Sequence, residues 1–165
     1  SGIYKLATKG VLKNITITNN KIDGGYATIY LNIGTSTTNR GNNILVENNV
    51  ITSSNYQSIY ISYANGVNVS GNKVFSRDNT SNSTNWYGIY LSNVDIDICN
   101  GNHCQQLGNK ASARGFYIAD INKEWIVEPG KLHSKSHNTV FKGEKFKGKP
   151  VITISKGKII YSEKN

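Results

Sequence analysis

The stretch Asn43-Ile-Leu-Val-Glu-Asn-Asn-Val-Ile51 decides the fold, because the chain repeats it. Asn14-Ile-Thr-Ile-Thr-Asn-Asn-Lys-Ile22 precedes it, and Gly66-Val-Asn-Val-Ser-Gly-Asn-Lys-Val74 follows. Val94-Asp-Ile-Asp-Ile-Cys-Asn-Gly-Asn-His-Cys104 is a fourth copy carrying about two extra residues. A second set alternates with the first: Gly2-Ile-Tyr4, Thr28-Ile-Tyr-Leu31, Ser58-Ile-Tyr-Ile61, Gly88-Ile-Tyr-Leu91 and Gly115-Phe-Tyr-Ile118. A period of 23–30 residues, with two or three short strands in each, means a stacked coil.

Each segment alternates with period two. Ile15 and Ile17, Ile44 and Val46, Val67 and Val69 should point inward, as should Ile29 and Leu31, Ile59 and Ile61, Ile89 and Leu91. The residues between them are Thr, Asn, Glu, Tyr and Ser, which suit a solvated outer face. No Leu-x-x-Leu-x-Leu spacing exists, which excludes a leucine-rich repeat, and a β-sandwich would not fix an Asn at one place in every repeat. In a coil that Asn marks a sharp corner, where one residue enters the left-handed region that Asn tolerates. The column Asn20, Asn49, Asn72, Asn102 is therefore expected to form an amide ladder that satisfies buried polar groups.

On these residues the chain resembles the right-handed parallel β-helix of the pectate lyase superfamily. N-I-T-I-x-N-N-x-I followed by G-I-Y-L is similar to its generic members, including phage tailspikes and surface polysaccharide-processing proteins. The resemblance covers about residues 2–118. It implies an all-β fold, a right-handed parallel β-helix of about four rungs, and a setting at the cell exterior or virion surface. The chain opens within a strand at Gly2-Ile-Tyr4 and without Met, which reads as an excised or processed segment whose first coil is incomplete.

The pattern changes near residue 118. Asn occurs 20 times before residue 115 and three times after it. Net charge is +9: residues 1–114 contribute +4, and residues 115–165 contribute +5 in less than half that length. The reading is a β-helix over 1–117 and a tail over 118–165, with a β-hairpin from Val151–Ile154 and Lys158–Tyr161. The tail's A-D-I-N-K-E-W, S-K-x-x-N-T-x-F and K-G-K-P-V-x-T-I-x-x-G-K-I-I-Y are similar to the C-terminal end of dihydroorotase and dihydropyrimidinase-type amidohydrolases, with Val140 where that family has Pro. In that family the segment finishes a small β-sandwich and carries no metal ligands. The barrel with its His-x-His pair, bridging Lys and catalytic Asp is missing, so the resemblance implies no dihydroorotase activity here. A complete barrel needs about 250 residues, more than the 165 of this chain.

The tyrosines of the second set, Tyr4, Tyr30, Tyr60, Tyr90 and Tyr117, sit between inward apolar residues and should face outward. Rungs lie about 4.8 Å apart, so the phenols would form a flat aromatic strip. Sugar rings bury C–H faces on such surfaces; the alternative is that stacked tyrosines only stabilise the coil. The loop Phe75–Tyr87 carries Arg77, Asp78 and Trp86, and an aromatic with the Arg/Asp pair would make one end of a glycan groove; the alternative is a solvated loop with one anchoring Trp. The loop Gly34–Asn42, with Arg40, reads as solvated.

Glycoside hydrolysis needs two carboxylates across one site. The candidates are Asp23, Glu47, Asp78, Asp95 and Asp97; Asp95 and Asp97 stand two apart on one strand and could act as a pair or hold Ca²⁺ as in pectate lyases, the alternative being a solvated face. No Arg or Lys adjoins them in sequence, and the polygalacturonase-like carboxylate motifs and Gly-His-Gly are missing. Cys99, His103 and Cys104 have poor spacing for zinc, and His133 and His137 lack the intervening Glu of His-Glu-x-x-His, so no metal or other cofactor is assigned. Asn-x-Ser/Thr sequons occur at Asn14, Asn68, Asn79 and Asn82. The charge alone would suit nucleic acid, but no nucleic-acid fold signature accompanies it, and no apolar run is long enough to span a membrane. The expectation is a non-catalytic carbohydrate-binding or structural segment whose partner is a polysaccharide or cell-surface glycan. Open coil ends or the tail would allow homo-oligomers. A polysaccharide lyase or hydrolase fragment, and an assembly module without a ligand, are the alternatives.

Overall fold

The computed structural model describes residues 2–6, 10–78, 85–108, 112–119, 124–128, 142–147, 152–155 and 158–162. It is all-β, with no helix among the described residues, and its parallel strands wind a solenoid of about four turns. The chain divides into two compact units, Ser1–Ile118 and Ala119–Asn165.

Each coil of the first unit presents three faces. The first face stacks β1 (Ile3–Lys5), β4 (Ala27–Asn32), the first half of β7 (Gln57–Ser70), the first half of β9 (Asn85–Asn100) and β11 (Ser112–Ala119). The second face stacks β2 (Lys13–Thr18), β5 (Gly41–Glu47) and the second halves of β7 and β9. The third stacks β3 (Lys21–Asp23), β6 (Val50–Ser54), β8 (Lys73–Ser76) and β10 (His103–Gln105). The register repeats what the alternation predicts: Ile29 pairs with Ile59 and Ile59 with Ile89, while Ile44 pairs with Val67. Ile29, Ile59, Ile61, Val46, Val69 and Ile89 are fully buried in one continuous core. Cys99 is in register with Val69 and Cys104 with Val74, so both cysteines continue aliphatic columns.

The corners between the second and third faces carry the asparagine ladder. Asn20 Nδ2 donates to Asn49 Oδ1, Asn49 Nδ2 to Asn72 Oδ1, and Asn72 Nδ2 to Asn102 Oδ1, each at 3.0 Å. The backbone N–H of Asn20, Asn49 and Asn72 donates to the same oxygens. The left-handed residue, however, is the one before each ladder Asn: Asn19 (φ 59°), Asn48 (φ 54°), Gly71 (φ 63°) and Gly101 (φ 62°). The corner thus divides its work between two positions. One residue absorbs the positive φ, and the next keeps ordinary φ while its amide turns into the coil. Asn or Gly fits the first position because both tolerate the left-handed region.

The passage from first to second face differs between coils. Residues 33–40 form a loop in the second coil, whereas Tyr63 and Asn93 make the turn alone, both at φ 54°. Arg40 stands at this corner. Its Nη2 donates to the carbonyls of Ala64 (3.1 Å) and Asn93 (2.6 Å), and its Nη1 contacts both Asp95 carboxylate oxygens at 3.3 Å. Arg40 is therefore a strap across two coils, which corrects the reading of its loop as plainly solvated. A guanidinium is long enough to reach both corner carbonyls and the carboxylate from one position.

In the second unit β12 (Glu124–Ile126) pairs antiparallel with β13 (Lys145–Lys147). β14 (Ile152–Ser155) pairs antiparallel with β15 (Lys158–Ser162), with a bulge between Thr153 and Ile154. This is the hairpin that the sequence predicts.

Candidate functional site: the tyrosine face

The tyrosines of the first face meet because the strands pair in register: Tyr4 with Tyr30, Tyr30 with Tyr60, Tyr60 with Tyr90. Their rings stack for the first part of the column. Tyr4–Tyr30 centroids lie 4.9 Å apart at 13°, and Tyr30–Tyr60 lie 4.6 Å apart at 17°. The column then turns. Tyr60–Tyr90 is edge-on at 85°, and Tyr90–Tyr117 is edge-on at 82°.

The flat strip expected from sequence is thus corrected on two counts. Stacked rings cover one another's faces, so outward they present edges rather than faces. The column is also not alone. Tyr26 stacks on Tyr56 at 5.1 Å, and Tyr56 meets Tyr87 edge-on at 5.5 Å. Tyr87 joins the two rows through Tyr90 (5.1 Å) and Tyr117 (5.7 Å). A second tyrosine three or four residues before the first was the available signal, at 26, 56 and 87. The result is a broad patch, with Tyr4 54%, Tyr26 60% and Tyr117 37% exposed. Burial, together with the neighbouring phenols, raises the pKa of Tyr30, Tyr56 and Tyr90 above the ordinary 10.0, so these groups are neutral at physiological pH.

Trp86 is not part of this patch. It is 1% exposed, and its Nε1 donates to Ser54 Oγ at 2.9 Å. The placement of Trp86 on a ligand-facing loop is therefore corrected: its ring fills the core and has no face for a sugar. Tyr87, in register with Gln57, takes the outward position instead, its ring against Tyr56. Arg77, half-buried, follows β8; its N–H donates to the Ser54 carbonyl, and its charge reaches Asp23. Among the described residues no contact joins Arg77 to the tyrosine rings, so the groove end expected from Arg77 and Trp86 together is not assembled. Asn79 and Asn82 lie outside the described residues, as do His133 and His137.

Arg114, on β11, does reach the patch. Its guanidinium carbon is 5.3 Å from the Tyr87 ring centroid and 5.7 Å from that of Tyr117. Nη1 donates to Tyr87 Oη at 3.1 Å and to Ser112 Oγ at 3.2 Å. No repeat argument singled it out, because it precedes the Gly-Phe-Tyr-Ile segment instead of lying within it.

Asp95 and Asp97 lie on the second face. Asp95 is engaged by Arg40, the cation that the local sequence does not offer. Asp97 sits in a register irregularity of β9, between Ile96 (paired with Val67) and Ile98 (paired with Asn68). The pair does not fit a Ca²⁺ site: the guanidinium already occupies Asp95, and no group of three His, Cys, Asp or Glu gathers among the described residues. Burial raises the pKa of Cys99 and pushes Cys104 up to about 12, so both half-buried thiols are protonated at neutral pH.

No protein-family model matches the chain, and no solved structure matches it. Curated relatives match a short stretch only. Dihydroorotase of Citrifermentans bemidjiense is 52% identical over 44 residues, which is 27% of this chain and 10% of that protein. Dihydroorotase of the Wolbachia of Drosophila simulans is 41% identical over 56 residues, 34% of this chain and 13% of that protein. Dihydroorotase of Thermococcus kodakarensis is 39% identical over 54 residues, 33% of this chain and 12% of that protein. The chain spans about a tenth of the length of these relatives. The matches support the likeness of the tail to the end of dihydroorotases.

Proposed function

We propose that residues 1–117 form a non-catalytic β-helix segment of the pectate lyase and tailspike kind, which binds a polysaccharide or cell-surface glycan on its tyrosine face at the cell exterior or on a virion. The tail over 118–165 adds no hydrolase chemistry to it. The observation that carries this reading is the double row of tyrosines, broadly exposed at Tyr4, Tyr26 and Tyr117 and bordered by Arg114. The phenols offer ring edges and hydroxyls to sugar hydroxyls, and rings at the ends of the stacks offer faces to sugar C–H groups. Glycan titration tests it. Tyr60→Ala with Tyr90→Ala should weaken binding about tenfold or more, and unchanged affinity would overturn the reading.

A polysaccharide lyase or hydrolase is the second reading, and one observation favours it: Arg40 stands beside Asp95. Against it, both Asp95 oxygens are spent on that guanidinium, and Arg40 is itself tied to two carbonyls. Asp95→Asn with Asp97→Asn should abolish turnover under this reading and change nothing under the first.

A further inference from the structure

We propose that the glycan is carboxylate-bearing and that Arg114 holds its carboxylate; this rests on the glycan-binding reading above. The chain has three arginines, and the structure places each differently. Arg40 is paired with Asp95. Arg77 lies within electrostatic reach of Asp23. Arg114 has no carboxylate partner among the described residues.

Arg114 is exposed, and it is tied to the patch at two points. Both of its hydrogen bonds leave from Nη1, to Tyr87 Oη and Ser112 Oγ. The guanidinium carbon lies 5.3 Å and 5.7 Å from the Tyr87 and Tyr117 ring centroids, which with the two hydrogen bonds favours its place on the patch. Among the described residues nothing takes the donors of Nη2 and Nε, and a guanidinium edge with two such donors matches a carboxylate. No Asp or Glu carboxylate contacts Arg114 among the described residues, so none competes there for an incoming anion. A neutral glycan would use the tyrosines and leave this preorganised cation unused. A uronic acid would use both: its ring hydroxyls on the phenols, its carboxylate on Arg114. The net charge of +9 draws a polyanion to the chain from every side, so the test must separate Arg114 from bulk charge.

Alginate, polygalacturonate and hyaluronan are titrated into the full chain, each beside its own carboxyl-reduced form. The native form of at least one should bind about tenfold tighter than its reduced form. Arg114→Gln should erase that preference and leave affinity for the reduced form unchanged. Lys73→Gln removes the same charge from an exposed position on the third face and should keep the preference. If reduced and native forms bind equally, the carboxylate site is wrong and glycan binding stands. If Lys73→Gln costs as much as Arg114→Gln, bulk charge explains the preference and the site is again overturned. If none of the six polymers binds, the inference and the reading beneath it both fall. The preference of the wild-type chain needs no variant, so poor folding of Arg114→Gln cannot shield the proposal.

Discussion

Replacing Asn72 by Ala removes the middle of the ladder, and its cost can be worked bond by bond. Asn72 is fully buried. Its Oδ1 accepts from the backbone N–H and from Nδ2 of Asn49, and its Nδ2 donates to the Val46 carbonyl at 2.9 Å and to Asn102 Oδ1. The alanine leaves the Asn49 N–H bare. It also takes one partner each from Asn49 Nδ2, the Val46 carbonyl and Asn102 Oδ1. Asn49 Nδ2 keeps the Ile17 carbonyl, and Asn102 Oδ1 keeps the N–H of residue 72. One bare buried donor costs about 1–3 kcal/mol, and three weakened groups add up to about 1 kcal/mol each, so the expected loss is about 3–5 kcal/mol. Asn20→Ala is the internal control. Asn20 is half-buried at the ladder's end, and Asn49 Oδ1 keeps the N–H of residue 20, so the loss there should be about 1 kcal/mol or less. Urea unfolding followed by near-UV circular dichroism of tyrosine reads this unit, since nine of the ten tyrosines precede residue 119. Equal losses at positions 20 and 72, or a loss below about 1 kcal/mol at 72, would refute the reasoning.

Arg40→Ala should destabilise by about 2–3 kcal/mol because it strips two corner carbonyls of their donor, whereas Asp95→Ala, at a 61% exposed side chain, should cost about 1 kcal/mol or less by the same urea assay. Trp86→Phe should lower stability by about 1–2 kcal/mol through loss of the bond to Ser54 Oγ, yet leave glycan affinity unchanged; a change in affinity would return Trp86 to the binding surface. Cys104, pushed up to about 12 by burial and then by Cys99, should react with iodoacetamide at pH 8 far more slowly in the folded chain than in urea. Tyr30, Tyr56 and Tyr90 have folded pKa values above the ordinary 10.0. Their protonated forms are therefore favoured by folding, and this contribution is complete below pH 10 and is lost as pH rises through the folded values. Stability should hold up to about pH 10 and fall beyond it, with phenolate absorbance appearing later than in the unfolded chain.

What the sequence made legible is the repeat and whatever depends on it. Period-two alternation places Ile29, Ile59 and Ile89 inward, and equal spacing puts the ladder asparagines in register, because a solenoid turns sequence period directly into stacking. Legibility fails where a residue acts outside its own rung. Arg40 reads as loop because nothing local reveals that its guanidinium reaches the Ala64 and Asn93 carbonyls, 24 and 53 residues away. Trp86 reads as part of a loop, yet it lies in the core, because an indole that can satisfy Nε1 on Ser54 gains more from the core than from the surface. The ladder was placed at the right residues, but the positive φ was assigned one residue late. Asn-Asn reads alike at both positions, and only Gly71-Asn72 and Gly101-Asn102 hint that the first of each pair takes the turn. The tyrosine ring orientations depend on the neighbours each ring meets, which no single repeat encodes.

The central claim is binding without cleavage, and size-exclusion chromatography of a polysaccharide panel incubated with the chain tests it most directly. The account predicts that the protein co-elutes with at least one glycan whose size is unchanged. A glycan shifted to smaller size would contradict it, and would transfer the function to the second face around Asp95 and Asp97.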